Sequence, residues 1–420
     1  MGKIDKAVNE ADLNMQHVDL QEFCDYIRDR IEMEEFTQPI LGIGKSGIGK
    51  TESIENAICK PLGIGLIEMR LGSYSETDLT GFPIPEKDET TGQTMMRFAD
   101  VAKFPHVGRD KECGILLLDE FTNARPAVRA AALQLTDKSR SIGDYKLPDK
   151  WLIVILGNGP TDGGYFQGLE YALMGRADCF RIDVNYEVWK AWALRTGVHP
   201  AVLGFINDYE DGPANILHRI KDMDEVEYEQ KDANPRCWVK LSDHLKKKEA
   251  RIGGLLDERQ VMIYAGAAVG ADIAPRFAAY YAYQKEMIKS EDILNGSILN
   301  SDIRGYRTES LYMSILSVAN ATIQMLRDNK DMIIAEDTIK DSDKEKFRNL
   351  LKFIVKLADS GKLDPASTII ESIQLGEPAL LSALLLSDRF DDDFPEMDEV
   401  YAKLGDLINF KYNLNAQMGK

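Results

Sequence analysis

Apolar positions change rhythm near residue 185. Before it, short unbroken apolar runs stand at Pro39–Ile43, Gly65–Leu71, Ile115–Asp119, Trp151–Gly157 and Phe180–Val184, each about the length of a strand. A strand covered on both faces has no polar side, so such runs predict a buried parallel sheet. Between them lie stretches with helical spacing, such as Pro126–Leu135, and a helix predicted from about Leu20, where Leu20, Phe23, Ile27 and Ile31 recur on one face. Asp19 is its expected N-cap, with Glu22 three residues on as the capping-box partner. Strands alternating with helices predict a three-layer α/β arrangement.

Past Val184 the strand-like runs stop. Tyr186–Leu194, Trp238–Lys248, an Ala-rich stretch from Ile252 to Tyr283 broken by Gly and Pro, and the amphipathic segments Leu311–Met325, Phe347–Leu357 and Met397–Ile408 all predict helix. The expected organisation is an α/β core over 1–185, a helical lid over 186–290 and a helical C-terminal extension over 291–420. Composition supports this: the chain has 420 residues, 44% of them hydrophobic, which is enough for two or three cored domains. No apolar run approaches the ~18 residues of a membrane helix, so no membrane partner is expected. Five cysteines stand singly, with no CxxC pair, which fits a reducing cytoplasm. A net charge of −18 disfavours broad binding to phosphate backbones, so nucleic acid is a disfavoured partner.

The chemistry begins at Gly44-Lys45-Ser46-Gly47-Ile48-Gly49-Lys50-Thr51, a complete G-x-x-x-x-G-K-[ST] phosphate loop. Glycines let backbone N–H groups turn inward around phosphate oxygens. A helix opening at Thr51-Glu52 presents its N-terminus to the anion. Lys50 brings a mobile cation to the β- and γ-phosphates, and the Thr51 hydroxyl is a magnesium ligand. The same glycines spell Gly42-x-Gly44-x-x-Gly47, a dinucleotide fingerprint, with Glu68 where a ribose-binding acid would stand. That alternative leaves Gly49-Lys50-Thr51 unexplained.

The run Gly114–Leu118 ends in Asp119 and Glu120. Ligands in α/β proteins sit at the carboxyl ends of strands. Asp119 is therefore the expected magnesium-site residue, and Glu120 the general base that takes a proton from the attacking water. Two acids after a core strand could equally be solvated caps; the phosphate loop upstream decides between the two.

Further residues resemble the MoxR and dynein-related branch of the AAA+ ATPases. Glu76-Thr77-Asp78-Leu79-Thr80-Gly81 is similar to that branch's "ETD-x-DL-x-G" segment, one residue shorter, and Glu89–Gln93 and Arg97-Phe98 follow as a hairpin-like stretch. The resemblance makes 75–98 an insert in the second helix of the core. Asp119–Pro126 is similar to "DE-x-N-R-A-x-P", with Arg125 displaced. Asn158 stands where the family's sensor 1 orients the lytic water. Ala172-Leu173-Met174-Gly175-Arg176 resembles the segment carrying the arginine finger, although Ala177 replaces the family's Phe and Phe180 is displaced; Arg176 is the candidate, ahead of Arg181. Asn234-Pro235-Arg236 resembles the sensor 2 triplet, with Arg236 as its arginine.

The resemblance covers roughly 20–285 and implies ATP and magnesium as cofactors. It also implies a homo-oligomeric ring, most simply a hexamer, and a chaperone-like action on a protein partner, such as one carrying a von Willebrand A domain. Two other classes remain open: a nucleic-acid motor or restriction-type NTPase, and a nucleotide-gated scaffold with low turnover. Three weaker patterns carry little. Asp137-x-Ser139-x-Ser141 matches a von Willebrand A metal site but follows a helix. Asn329-Lys330-Asp331-Met332 misplaces the acid of a guanine-recognition motif. The Trp189/Trp192 pair reads as helical core.

Overall fold

The computed structural model describes residues 15–87, 89–159, 171–219, 233–336, 338–387 and 389–405. Contacts divide the chain into two compact units. One holds the described residues up to Asn185 together with Asn234–Arg236, and the other holds Tyr186–Arg219, Ala233 and the chain from Cys237.

The first unit is built on a six-stranded parallel sheet. Its strands are β1 (Gln16–Val18), β2 (Ile40–Gly44), β3 (Gly65–Arg70), β6 (Gly114–Asp119), β9 (Trp151–Gly157) and β10 (Asp178–Ile182), in the order β1-β10-β2-β9-β6-β3. Each of the five predicted runs is a strand of this sheet. Alternate residues of the strands enter opposite cores. Ile40, Ile115, Leu117, Leu152 and Val154 pack with Phe23, Ile27 and Ile31 of the helix Leu20–Glu32. Leu41, Ile43, Leu116, Leu118 and Ile153 pack with Val128, Ala131 and Ala132 of the helix Pro126–Gln134. Two cores on one sheet make three layers, αβα.

The capping box forms as expected: Asp19 Oδ1 accepts from the Gln21 and Glu22 amides, and Glu22 Oε2 accepts from the Asp19 N–H at 2.8 Å. Several boundaries are corrected. The last sheet strand begins at Asp178, not Phe180, because Asp178 is anchored by Arg30, Tyr26 and Gln38. The edge strand β1 has no predicted counterpart, since Gln16-His17-Val18 carries no apolar alternation; parallel pairing to Phe180–Ile182 makes it a strand. The helix after the phosphate loop opens at Lys50 rather than Thr51 and widens to a π-helix over Ile54–Cys59.

A hairpin, β4 (Pro83–Lys87) and β5 (Thr94–Phe98), stands between β3 and β6 in sequence. Its base closes at Gly81 (φ +80°), where an added Cβ would strike the Ala99 carbonyl. Another small hairpin, β7 (Ser141–Ile142) with β8 (Tyr145–Lys146), precedes β9.

The second unit is helical throughout its described residues. The helix Thr308–Asp328 buries Leu311, Ile315, Val318 and Ile323 and packs on Leu363–Gly376 and Pro200–Asn207. Phe205, Trp238 and Phe277 form a ring cluster, with the Trp238 indole N–H on the Ile216 carbonyl at 3.0 Å. Trp189 is buried in the helix Tyr186–Thr196. The Ala-rich stretch resolves into Glu258–Val269 and Ala274–Tyr281, parted at Gly270 (φ +118°). The helices Leu363–Gly376 and Pro378–Leu385 had no predicted counterpart. The last expected helix is present over 396–405; residues 406–408 of it lie outside the described residues. No helix among the described residues is long and apolar enough to cross a membrane.

Candidate functional site

Three neighbouring strands, β2, β9 and β6, end on the same side of the sheet, and each delivers one candidate group. The end of β2 is Gly44, from which Lys45–Gly49 turn into the helix Lys50–Ser53. Gly47 (φ +77°) and Gly49 (φ +97°) lie in the left-handed region that a side chain resists. Lys50 is buried, and its Nζ folds onto the loop, donating to the carbonyls of Gly44 at 2.5 Å and Lys45 at 3.0 Å. Ser46 and Glu52 are exposed, and Ile48 is buried beside the first core.

From β6, Asp119 Oδ2 accepts the Thr51 hydroxyl at 2.8 Å. A hydroxyl and a carboxylate meeting at the loop mouth are hard oxygen donors, the class that magnesium selects while keeping several waters. The donor set therefore fits the ion. Glu120 is one of three non-glycine residues at positive φ among those described (φ +57°). Strained backbone of this kind costs about 1–3 kcal/mol and persists only where the surrounding structure holds it. The bend is tied down by the Glu120 amide on Asp119 Oδ1 at 2.7 Å and the Asn123 amide on the Glu120 carbonyl at 3.0 Å. The Glu120 carboxylate rests against Gly72, where an added Cβ would stand 2.6 Å from Oε2. Beside it, Arg70 ends β3 opposite Asp119; its bond to Glu68, with the added fields of Asp119 and Glu120, holds its guanidinium above its ordinary range. Glu68 is thus engaged by Arg70.

From β9, Asn158 places Oδ1 3.4 Å from Lys50 Nζ, and its backbone N–H donates to Thr122 Oγ1 at 3.0 Å. Lys50, Thr51, Asp119 and Asn158 are therefore brought together by direct contacts, with Glu120 adjacent.

Arg176 is not in this group. It follows the helix Tyr171–Met174, and its guanidinium pairs with Asp137 at 2.7 Å with 41% of the side chain exposed. Arg181 lies within β10 and is 6% exposed. Arg125 is an exposed residue preceding the helix Pro126–Gln134. Arg236 reaches the loop through its main chain, its amide donating to the Gly47 carbonyl at 3.1 Å, while its side chain is exposed. Asp137 of the metal-site-like pattern is thus engaged by Arg176. Asn329 is buried, donating to the Met325 carbonyl and Asp343 and accepting the Lys340 amide.

Three residues of this site were not singled out from sequence: Thr122, Asn234 and Gly72. Their only signals are a polar residue three after Asp119, an Asn before Pro-Arg, and a glycine just past a strand.

No family model matches the sequence, and no curated protein matches it. Similar solved structures include the closed state of Hsp104 with ATPyS and FITC casein, 17% identical, covering 48% of this chain and 39% of that one, with TM-score 0.31. A putative ATPase from Cytophaga hutchinsonii is 14% identical over 76% of this chain and 79% of its own, with TM-score 0.31. RuvB from Thermotoga maritima is 13% identical over 64% and 72%, with TM-score 0.34. The chain thus spans about two fifths of the Hsp104 chain. Likenesses at such TM-scores carry no weight for the fold, which rests on the strand order and register of the chain itself.

Proposed function

We propose that this chain is an ATP hydrolase of the AAA+ type, nearest the MoxR and dynein-related branch, acting as a homo-oligomeric ring on a protein partner. The observation that carries the reading is the convergence of Lys50, Thr51, Asp119 and Asn158 at the ends of three adjacent strands, beside the strained Glu120. The loop Gly44–Thr51 and the helix after it bind the triphosphate. Lys50 moves from the loop carbonyls to the phosphate oxygens. Thr51 and Asp119 hold magnesium, which when bound neutralises charge on the β- and γ-phosphates. Glu120 takes a proton from the attacking water as its oxygen bonds to the γ-phosphorus. The bond to the bridging oxygen breaks and ADP departs with that oxygen. Asn158 orients the water.

Arg176 acts in trans, as the finger on a neighbouring subunit's site. Its partial exposure supports this, whereas Arg181 is buried inside the sheet and has no route to a neighbour. Arg236 serves as sensor 2, 186–290 as the lid, and 291–420 as an extension for assembly or partner binding.

The test is ATP hydrolysis against protein concentration, with native mass read in the same samples. A shared site gives specific activity that rises as rings form, and Arg176→Ala abolishes the rise while ATP still binds. Activity flat with concentration and unchanged in Arg176→Ala would sink the shared-site mechanism.

A further inference from the structure

The phosphate loop is clamped from outside at one glycine. The Gly47 carbonyl accepts the Arg236 amide at 3.1 Å. Across its open side lies the Asn234 amide: a Cβ on Gly47 would stand 2.7 Å from Oδ1, 2.8 Å from Cγ and 3.0 Å from Nδ2. All three atoms at near-equal distance mean that the amide plane faces the glycine. Pro235 between them offers no N–H and has its φ fixed, so the triplet presents one side chain and one donor to one residue. Pro235 is buried beside the partly buried Asn234. Gly47, Asn234, Pro235 and Arg236 all belong to the first unit.

The consequence follows from peptide geometry. In a trans peptide the C=O and N–H point in opposite directions. With the Gly47 carbonyl drawn to Arg236, the Ile48 N–H is aimed away from the clamp. We propose that Asn234 is a positioning residue of the phosphate loop. Its amide and the Arg236 N–H together fix the Gly47–Ile48 peptide, so that the loop meets a triphosphate with this donor already oriented. The same clamp seats the Cα of Arg236, giving its guanidinium a fixed base. The inference rests on the ATP-binding reading above.

The experiment is a double-mutant cycle on the full chain, combining Asn234→Ala and Gly47→Ala, with a fluorescent ATP analogue for affinity and steady-state hydrolysis for KM and kcat. Asn234→Ala raises KM and weakens analogue binding about tenfold, the scale of one lost preorganising contact, while kcat changes less than about twofold. Gly47→Ala alone weakens binding further, because its methyl strikes the Asn234 amide and an alanine at φ +77° is strained whatever lies beside it. In the Asn234→Ala background the same methyl finds room, and roughly tenfold of the loss returns. Additive losses overturn the clamp and leave the ATPase reading intact. So does an Asn234→Ala protein that melts earlier yet keeps the wild-type KM. A wild type that binds no analogue overturns both.

Discussion

Replacing Thr122 by valine keeps the shape of a side chain with no solvent exposure and removes one acceptor. Thr122 Oγ1 receives the Asn158 N–H at 3.0 Å, and its Cγ2 lies where a Cβ on Gly157 would come within 2.7 Å, so the end of β9 is seated on this residue. Valine leaves the Asn158 N–H facing a methyl group. A buried donor left unpaired costs about 1–3 kcal/mol, and partial exposure of Asn158 sets the loss near ~1–2 kcal/mol. At roughly 2–4 °C per kcal/mol for a domain of this size, the melting point falls by about 2–8 °C. With its backbone released, the Asn158 amide loses its station near Lys50. Turnover drops about tenfold, while KM for ATP stays within about twofold because the loop is untouched. Thr122→Ser is the control: it keeps the acceptor, loses a methyl worth about 1 kcal/mol of packing, and retains near-wild-type kcat. Calorimetry and steady-state hydrolysis read both quantities. Equal kcat in wild type and Thr122→Val, or a Thr122→Ser that fails like the valine, would refute the reasoning.

Other consequences are independent of that one. Arg176 and Asp137 form an exposed pair worth about 0–1 kcal/mol, so Asp137→Ala leaves melting nearly unchanged and kcat undiminished, whereas Arg176→Ala lowers kcat by roughly a hundredfold or more. In the second unit, Asn329→Leu strands the Lys340 amide and takes a partner from the buried Asp343; urea denaturation should show about 2–4 kcal/mol lost. Burial pushes the Glu249 carboxyl up, but bonds from His199 Nε2 at 3.1 Å and from the Tyr281 hydroxyl, with the His199 field, outweigh it and leave it below its ordinary value. A depressed carboxylate contributes stability above its unfolded pKa and loses it as pH falls through the folded one. The acid limb of the unfolding profile should therefore flatten in Glu249→Gln; an unchanged limb would remove Glu249 from the account.

Much of the first unit was legible because buried parallel strands are continuously apolar. Ile40–Ile43, Ile115–Leu118 and Trp151–Leu156 admit few other readings. The phosphate loop was legible because left-handed glycines at fixed spacing leave few substitutes. The strand Gln16–Val18 was not, because its pairing to β10 comes from the sheet and its own side chains carry no pattern. The same limit hid Thr122, Asn234 and Gly72. Each acts on a residue distant in sequence or through empty space, and no local periodicity records that. The departure of β10 from its expected bounds has a comparable origin: Asp178, polar and outside the apolar run, is held in the strand by Arg30 of the helix Leu20–Glu32.

The central claim is that Glu120 performs chemistry at a site built to bind ATP and magnesium. The most direct measurement is single-turnover phosphate release by wild type and Glu120→Gln at equal, directly measured ATP occupancy. The account predicts ATP affinity within about threefold and release slowed by about a hundredfold or more, since only the proton acceptor is lost. Equal release rates would contradict it, as would a Glu120→Gln protein that no longer holds ATP.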